Sequence, residues 1–283
     1  MSNNFLGIEE EFSSIENSQV VIIPVPYETS TSYMGGTKEG PQAIIDASAY
    51  VELYDEEIEK ESYRKGIHTV PAIKFVNDVN KDFESITKTF SAYLEMGKFP
   101  IGLGGEHSIS FPIFKAFQQK FDNLSVLQLD AHSDLRESYE DSIFSHACVM
   151  KRIYGMNTNI VQVGIRSQCI EEADFIKNNN INTIYAHVLK NEGFYSSIID
   201  KLTDNVFITI DVDYFDPSVI PSTGTPEPGG FFWDETMVFL KKVFAKKNVV
   251  GFDVVELSPL KGLVHPDFTI AKMIYKLIGH KFY

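Results

Sequence analysis

The 283-residue sequence predicts an α/β fold, with a parallel sheet covered by helices on both faces. Short apolar runs of strand length recur along the chain. Each is followed by a longer amphipathic stretch. The runs are also almost continuously apolar instead of alternating, which is what burial on both faces of a sheet requires.

Taken in order, residues 20–24 read as a first strand, and 40–50 as a helix with Pro41 well placed in its first turn. A helical pattern covers 82–96. Further strands are expected at 99–103, 126–130, 160–164, 206–211 and 249–255. Helical stretches fill most of the gaps: 110–121, 146–154, 171–178, 194–202, 234–244 and 266–278. The length is near the upper limit for one hydrophobic core, so a single domain over residues 1–283 is expected.

Composition narrows the partners. Asp and Glu number 39 against 25 Lys and Arg, a formal net charge of −14. That sign repels nucleic acid and acidic membrane surfaces and attracts cations, so metal ions and small cationic substrates are the natural ligands. Cys148 and Cys169 are too few for a disulfide framework, and a reducing cytosol is the expected compartment. The opening residues, Met1 to Phe5, show no basic stretch leading into an apolar run, and no apolar stretch is long enough to span a bilayer.

In a parallel sheet, ligands bind beyond the carboxyl ends of the strands. The strand at 99–103 runs into Gly104-Gly105-Glu106-His107-Ser108, which places His107 just past a strand end. The strand at 126–130 runs into Asp130-Ala131-His132-Ser133-Asp134. Its ionisable residues alternate at i, i+2 and i+4, so an extended chain would set all three on one side. The strand at 206–211 ends in Asp211-Val212-Asp213, whose carboxylates would again share a face. Asp216, before Pro217, reads as a turn-former. The proline- and glycine-rich run from Pro221 to Gly230 reads as a shaped loop. The final strand delivers Glu256, a carboxylate able to grip a cationic group.

Together these strand ends supply His107, Asp130, His132, Asp134, Asp211 and Asp213. Like charges gathered on an apolar rim need either raised pKa values or a cation. Two divalent ions would balance four carboxylates. An oxygen-rich set with imidazoles suits manganese or a similar hard ion better than structural zinc. A close pair of such ions brings the pKa of a shared water toward neutrality.

With these motifs in view, the sequence resembles the ureohydrolases, the family of arginase and agmatinase. The likeness runs through the five motifs around His107, Asp130, Asp211, Thr223 and Glu256. It extends to Val25-Pro26-Tyr27-Glu28-Thr29-Ser30 and Gly40-Pro41-Gln42-Ala43-Ile44 near the start. The resemblance implies a three-layer α/β/α fold around a mainly parallel eight-stranded sheet. It implies two Mn2+ ions per subunit, one held by His107, Asp130, Asp134 and Asp211, the other by Asp130, His132, Asp211 and Asp213. It assigns His146 as a proton shuttle and Glu256 as the carboxylate holding the substrate's guanidinium. It also implies a homo-trimer or homo-hexamer.

The loop from Asp134 to His146 departs from arginase, with Arg136 where a key Asn is expected, and resembles agmatinase-type loops. Agmatine, cleaved to putrescine and urea in polyamine biosynthesis, is therefore the expected substrate. A guanidino acid, formiminoglutamate, aminopropylagmatine and arginine are the alternatives. Glu137, Glu140 and Asp141 add negative charge to this loop near the pocket, although each taken singly reads as solvated and facing away. Arg136 would either read a substrate carboxylate or pair with a neighbouring glutamate. A related one-zinc deacetylase-type enzyme, needing fewer of these ligands, and a catalytically silent protein of the same fold are the rival classes. His68, His187, His265 and His280 match no motif and read as structural or surface residues. The role of Arg166, just past a strand end, is open.

Overall fold

The computed structural model describes residues 4–188 and 194–283. The opening residues Met1 to Asn3, used above in reading the chain start, lie outside that range. Eight strands form one sheet: β1 (Val20–Val25), β2 (Ile67–Thr69), β3 (Phe99–Gly104), β4 (Leu124–Leu129), β5 (Ile160–Ile165), β6 (Asn182–Tyr185), β7 (Asn205–Asp211) and β8 (Asn248–Val255). Their order is β2-β1-β3-β8-β7-β4-β5-β6, and every pairing is parallel. The expected "mainly parallel" sheet is thus parallel throughout. The edge strands β2 and β6 have no counterpart in the sequence reading. Each is too short to carry a periodic signal, and β6 is only half buried.

The helices are α1 (Glu10–Ser13), α2 (Gly40–Ser48), α3 (Val79–Glu95), α4 (Ser110–Lys120), α5 (Val149–Tyr154), α6 (Ile170–Asn179), α7 (Phe194–Ile199), α8 (Trp233–Lys246) and α9 (His265–Phe282). Alternate residues of β1 feed two cores. Val20 and Ile22 join the core that also takes in α2, α7, α8 and α9, whereas Val21, Ile23 and Val25 join the one that takes in α3, α4, α5 and α6. This is the three-layer α/β/α architecture. The helix expected from residue 146 begins as a 3-10 turn, His146–Cys148, before α5. Among the described residues no helix is long and apolar enough to cross a membrane.

One buried ion pair anchors α9. Lys276 donates to Asp55 at 2.8 Å, with Glu57 and Glu56 at 3.5 and 3.6 Å. Burial works to raise the Asp55 pKa, but the Lys276 ammonium outweighs it and holds the carboxyl below its ordinary range. Asp55→Asn strands a buried ammonium. The expected cost is about 3 kcal/mol, the low end for a broken buried pair, because the two glutamates remain nearby. Because the folded pKa is depressed, the charge contribution is present above the ordinary carboxylate range and is lost as pH falls through the folded value. Urea titrations should therefore show the gap between variant and parent closing in acid.

Candidate metal centre

Sheet register sets the site. Leu129 pairs with Ile210, so Asp130 and Asp211 leave adjacent strands at the same height. Asp211 pairs with Val255, which puts Glu256 one step further on. His107 follows β3 on the other side of β8. The six candidate metal ligands and Glu256 thus leave four neighbouring central strands, β3, β8, β7 and β4, at their carboxyl ends.

All six converge, but not by the simple alternation expected. Asp134 arrives through a left-handed backbone kink, with φ 53°. Asp213 sits in a 3-10 turn, Val212–Tyr214, wound by a bond from its own N–H to Asp211 Oδ1 at 2.9 Å. Chain curling, and not extended spacing, brings the later member of each motif inward.

His107 is fully buried. Its Nδ1 lies 3.1 Å from Asp130 Oδ2, 3.1 Å from Asp134 Oδ2 and 3.3 Å from Asp211 Oδ2. It has no hydrogen-bond partner among the described residues. Its Nε2 lies 2.9 Å from Thr209 Oγ1, whose single proton goes to Ser110 Oγ. The Thr209 oxygen therefore accepts from Nε2–H, so Nδ1, facing three carboxylates, must either carry a proton or give its lone pair to a cation. A second cluster joins Asp130, His132 and Asp213, with His132 Nδ1 2.8 Å from Asp213 Oδ2. Within each trio, His107-Asp130-Asp211 and Asp130-His132-Asp213, the ligand atoms lie within 4.8 Å of one another. Asp130 belongs to both trios.

The electrostatics test whether cations fit. Burial, then the Asp213 and Asp134 charges, push Asp130 up to about 7. Burial, then Asp213 and Asp130, push Asp211 well above its ordinary value. Burial lowers His107, yet the surrounding carboxylates win and hold it well above its usual range. His132 is raised in the same way, to about 11, and Asp213 falls to about 2 because the His132 charge outweighs burial. Without another counter-charge, these groups can share the space only by taking up protons. Converging oxygen and nitrogen lone pairs, with orphaned Nδ1 among them, fit divalent cations.

Several supporting residues escaped the sequence reading. Gln128 donates to Asp130 Oδ2 at 2.7 Å, Gln162 donates to Gln128 at 2.6 Å, and Thr183 to Gln162 at 2.8 Å. A glutamine inside each of two apolar strands was the available signal, since a buried amide needs a partner. Glu172 accepts from the N–H groups of Leu135 and Cys169, both at 2.8 Å, and so fixes the chain after Asp134. Asp216 accepts from Ser218, Gly229 and Gly230, which is the turn-shaping role expected.

Arg166 donates to six backbone carbonyls, those of Gly164, Asp213, Tyr214, Phe215, Glu227 and Pro228, with Asp213 closest at 2.6 Å. It clamps the Asp213 turn to the proline-rich loop. Arg166→Lys keeps the charge but loses the planar fork. Metal affinity should fall about tenfold, on the scale of altered supporting shells around metal ligands, as read by metal content after graded chelation.

A cavity of about 250 Å3 opens onto the centre, lined in part by His132, Asp134, Asp211, Asp213, His146 and Glu256. Arg136 and Tyr139 also line it, as do residues Thr31 to Met34. Glu137, Glu140 and Asp141 of the loop do not line it, in keeping with the reading of each one as solvated. Glu137 points outward and pairs with Arg152 at 2.8 Å and Lys151 at 3.3 Å, and neither Glu140 nor Asp141 lines the cavity. Arg136 pairs with Glu172 at 3.9 Å and stacks 5.2 Å from the Tyr139 ring centre. The glutamate partner is therefore Glu172 and not a neighbour in the loop. His68, His187, His265 and His280 do not line the cavity.

The family model described as "Arginase family" matches residues 18–279. N(1)-aminopropylagmatine ureohydrolase of Synechocystis is 37% identical, over 96% of this chain and 92% of its own length. The agmatinase of Bacillus anthracis is 36% identical, over 87% and 86% respectively. Among solved structures, the agmatine ureohydrolase of Thermoplasma volcanium superposes with a TM-score of 0.89 at 28% identity, covering 99% of this chain and 94% of that one. With the sheet order, the rim of converging ligands and a match across nearly its whole length, the chain belongs to the arginase family and is a ureohydrolase, a hydrolase of guanidino C–N bonds.

Proposed function

We propose that this ureohydrolase cleaves the guanidino group of agmatine, giving putrescine and urea. The observation that carries the reading is the placing of Glu256. Its Oε1 accepts from the His107 N–H at 2.6 Å, which fixes the carboxylate plane inside the cavity. A Cβ on Gly224 would lie 3.1 Å from the Met34 carbonyl and 4.0 Å from Oε2, so the proline-rich loop passes close beside this carboxylate. A flat carboxylate so held suits a guanidinium. Burial raises Glu256 to about 8, and a bound guanidinium supplies the positive charge that favours its ionised form.

The six rim ligands would hold two divalent cations, Mn2+ by the preference of hard ions for carboxylate and imidazole. His107, Asp130, Asp134 and Asp211 would form one set, and Asp130, His132, Asp211 and Asp213 the other. When bound, such a pair supplies an acidified water as nucleophile. The remaining work falls to the protein. Glu256 orients the guanidinium, and His146 passes a proton to the departing amine so that urea and amine separate as stable products. Arg136, offset by Glu172 and stacked on Tyr139, does not demand a substrate carboxylate, which argues against arginine and the guanidino acids.

A second reading, N1-aminopropylagmatine, is favoured by the Synechocystis relative, whose name carries that substrate. The same carboxylate and the same net charge of −14 suit this longer polycation. The proposal extends to a reducing cytosol and a homo-trimer or homo-hexamer acting on small cations, without nucleic acid or membrane partners. Product release from agmatine, N1-aminopropylagmatine, arginine, guanidinobutyrate and formiminoglutamate, with manganese supplied, tests it. A preference for any of the last three would overturn the reading.

A further inference from the structure

Glu106 is fully buried, next to His107, and the reaction as described above does not use it. Its carboxylate accepts from the N–H groups of Thr29 and Ser30 at 2.5 and 2.7 Å, and from the hydroxyls of Ser30 and Ser108 at 2.7 and 2.6 Å. Ser30 therefore has no proton left to give. Its oxygen accepts the His146 backbone N–H at 3.0 Å and lies 3.3 Å from His146 Nδ1. A hydroxyl offers one donor and two acceptor sites. With its proton on Glu106 and one lone pair on the His146 backbone, the remaining site of Ser30 can meet Nδ1 only if Nδ1 carries a hydrogen.

We propose that Ser30, polarised by Glu106, is the positioning residue that holds His146 in its Nδ1–H form and leaves Nε2 as the proton-transferring atom. This rests on the reading of His146 as the proton shuttle. As the C–N bond breaks, its electron pair stays on the departing nitrogen, which takes the Nε2 proton of the imidazolium. The ring that remains is neutral with its hydrogen on Nδ1, the form Ser30 accepts. The relay thus stabilises the state His146 reaches after giving up its proton. Tyr139 meets the ring at 78°, 6.0 Å between centres, and limits its rotation. Ser145 Oγ, 3.4 Å from Nδ1, is the competing partner, since it could donate if Nδ1 were bare.

The test is nitrogen NMR of the histidine-labelled full chain loaded with diamagnetic zinc, with His146 assigned by its loss in His146→Ala. On the alkaline side of its titration, wild-type His146 should show hydrogen on Nδ1. Ser30→Ala should shift the population toward Nε2–H, and Ser30→Thr, which keeps the hydroxyl, should restore it. In the manganese enzyme, Ser30→Ala should lower kcat at least about tenfold, part of the roughly 10²–10⁴ that a general acid supplies, with KM within about twofold and metal content unchanged. A wild-type ring with hydrogen on Nε2, or no change of tautomer in Ser30→Ala, overturns the relay. Full turnover in His146→Ala refutes the shuttle itself, while the tautomer measurement still decides what Ser30 does.

Discussion

Asp130→Asn is expected to lose bound metal and turnover together. Asp130 is shared by both ligand trios, and it is held by Gln128 on one oxygen and by the His132 N–H, at 2.6 Å, on the other. The amide keeps the volume but removes the charge, so neither trio retains enough negative charge for a divalent ion. A loss of at least ~10³-fold in kcat is expected, the upper scale of single electrostatic groups in polar active sites. Metal counting by atomic emission beside urea release checks it. A variant that keeps two ions per chain and normal rates would contradict the arrangement described for the rim.

Glu256→Gln should behave differently. The side chain lines the cavity, held by the His107 N–H, and neither metal trio contains it. Both ions should stay. The neutral amide cannot balance a guanidinium, and turning its NH2 toward the cavity would set donor against donor. KM for agmatine should rise and kcat fall, with kcat/KM down roughly 10²- to 10³-fold, or about 3–4 kcal/mol of transition-state binding. Separate measurement of kcat, KM and metal content distinguishes the two variants. Metal loss in Glu256→Gln would show that this carboxylate supports the ions as well as the substrate.

Much of this was legible in the sequence because the chemistry sits where apolar strands end. Asp130, Asp211 and Glu256 each follow a near-continuous apolar run, so strand and ligand announce each other. His107 was legible through the glycines before it. Gly105 lies where an added Cβ would come 2.0 Å from the Tyr27 carbonyl, so the turn into His107 cannot take a larger residue without moving the chain. The path by which Asp134 and Asp213 reach the centre was not legible. Extended alternation and a curled turn give the same spacing of residue types, and only tertiary packing separates them. Ser30, Glu106, Gln162 and Arg166 were also hidden as partners. Their contacts join residues far apart in the chain, such as Ser30 with His146 and Arg166 with Glu227, and no local pattern encodes such a pair.

Asp134 and Glu256 share one further property: both are non-glycine residues in the left-handed region, at φ 53° and 65°. A side chain there costs on the order of 1–2 kcal/mol. Glycine at either position would relax the backbone and remove a carboxylate from the cavity in the same step. Robustness and competence therefore pull these two sites in opposite directions. A population of variants screened for heat resistance alone would drift toward glycine or asparagine there, and would become sturdier as it forgot its chemistry.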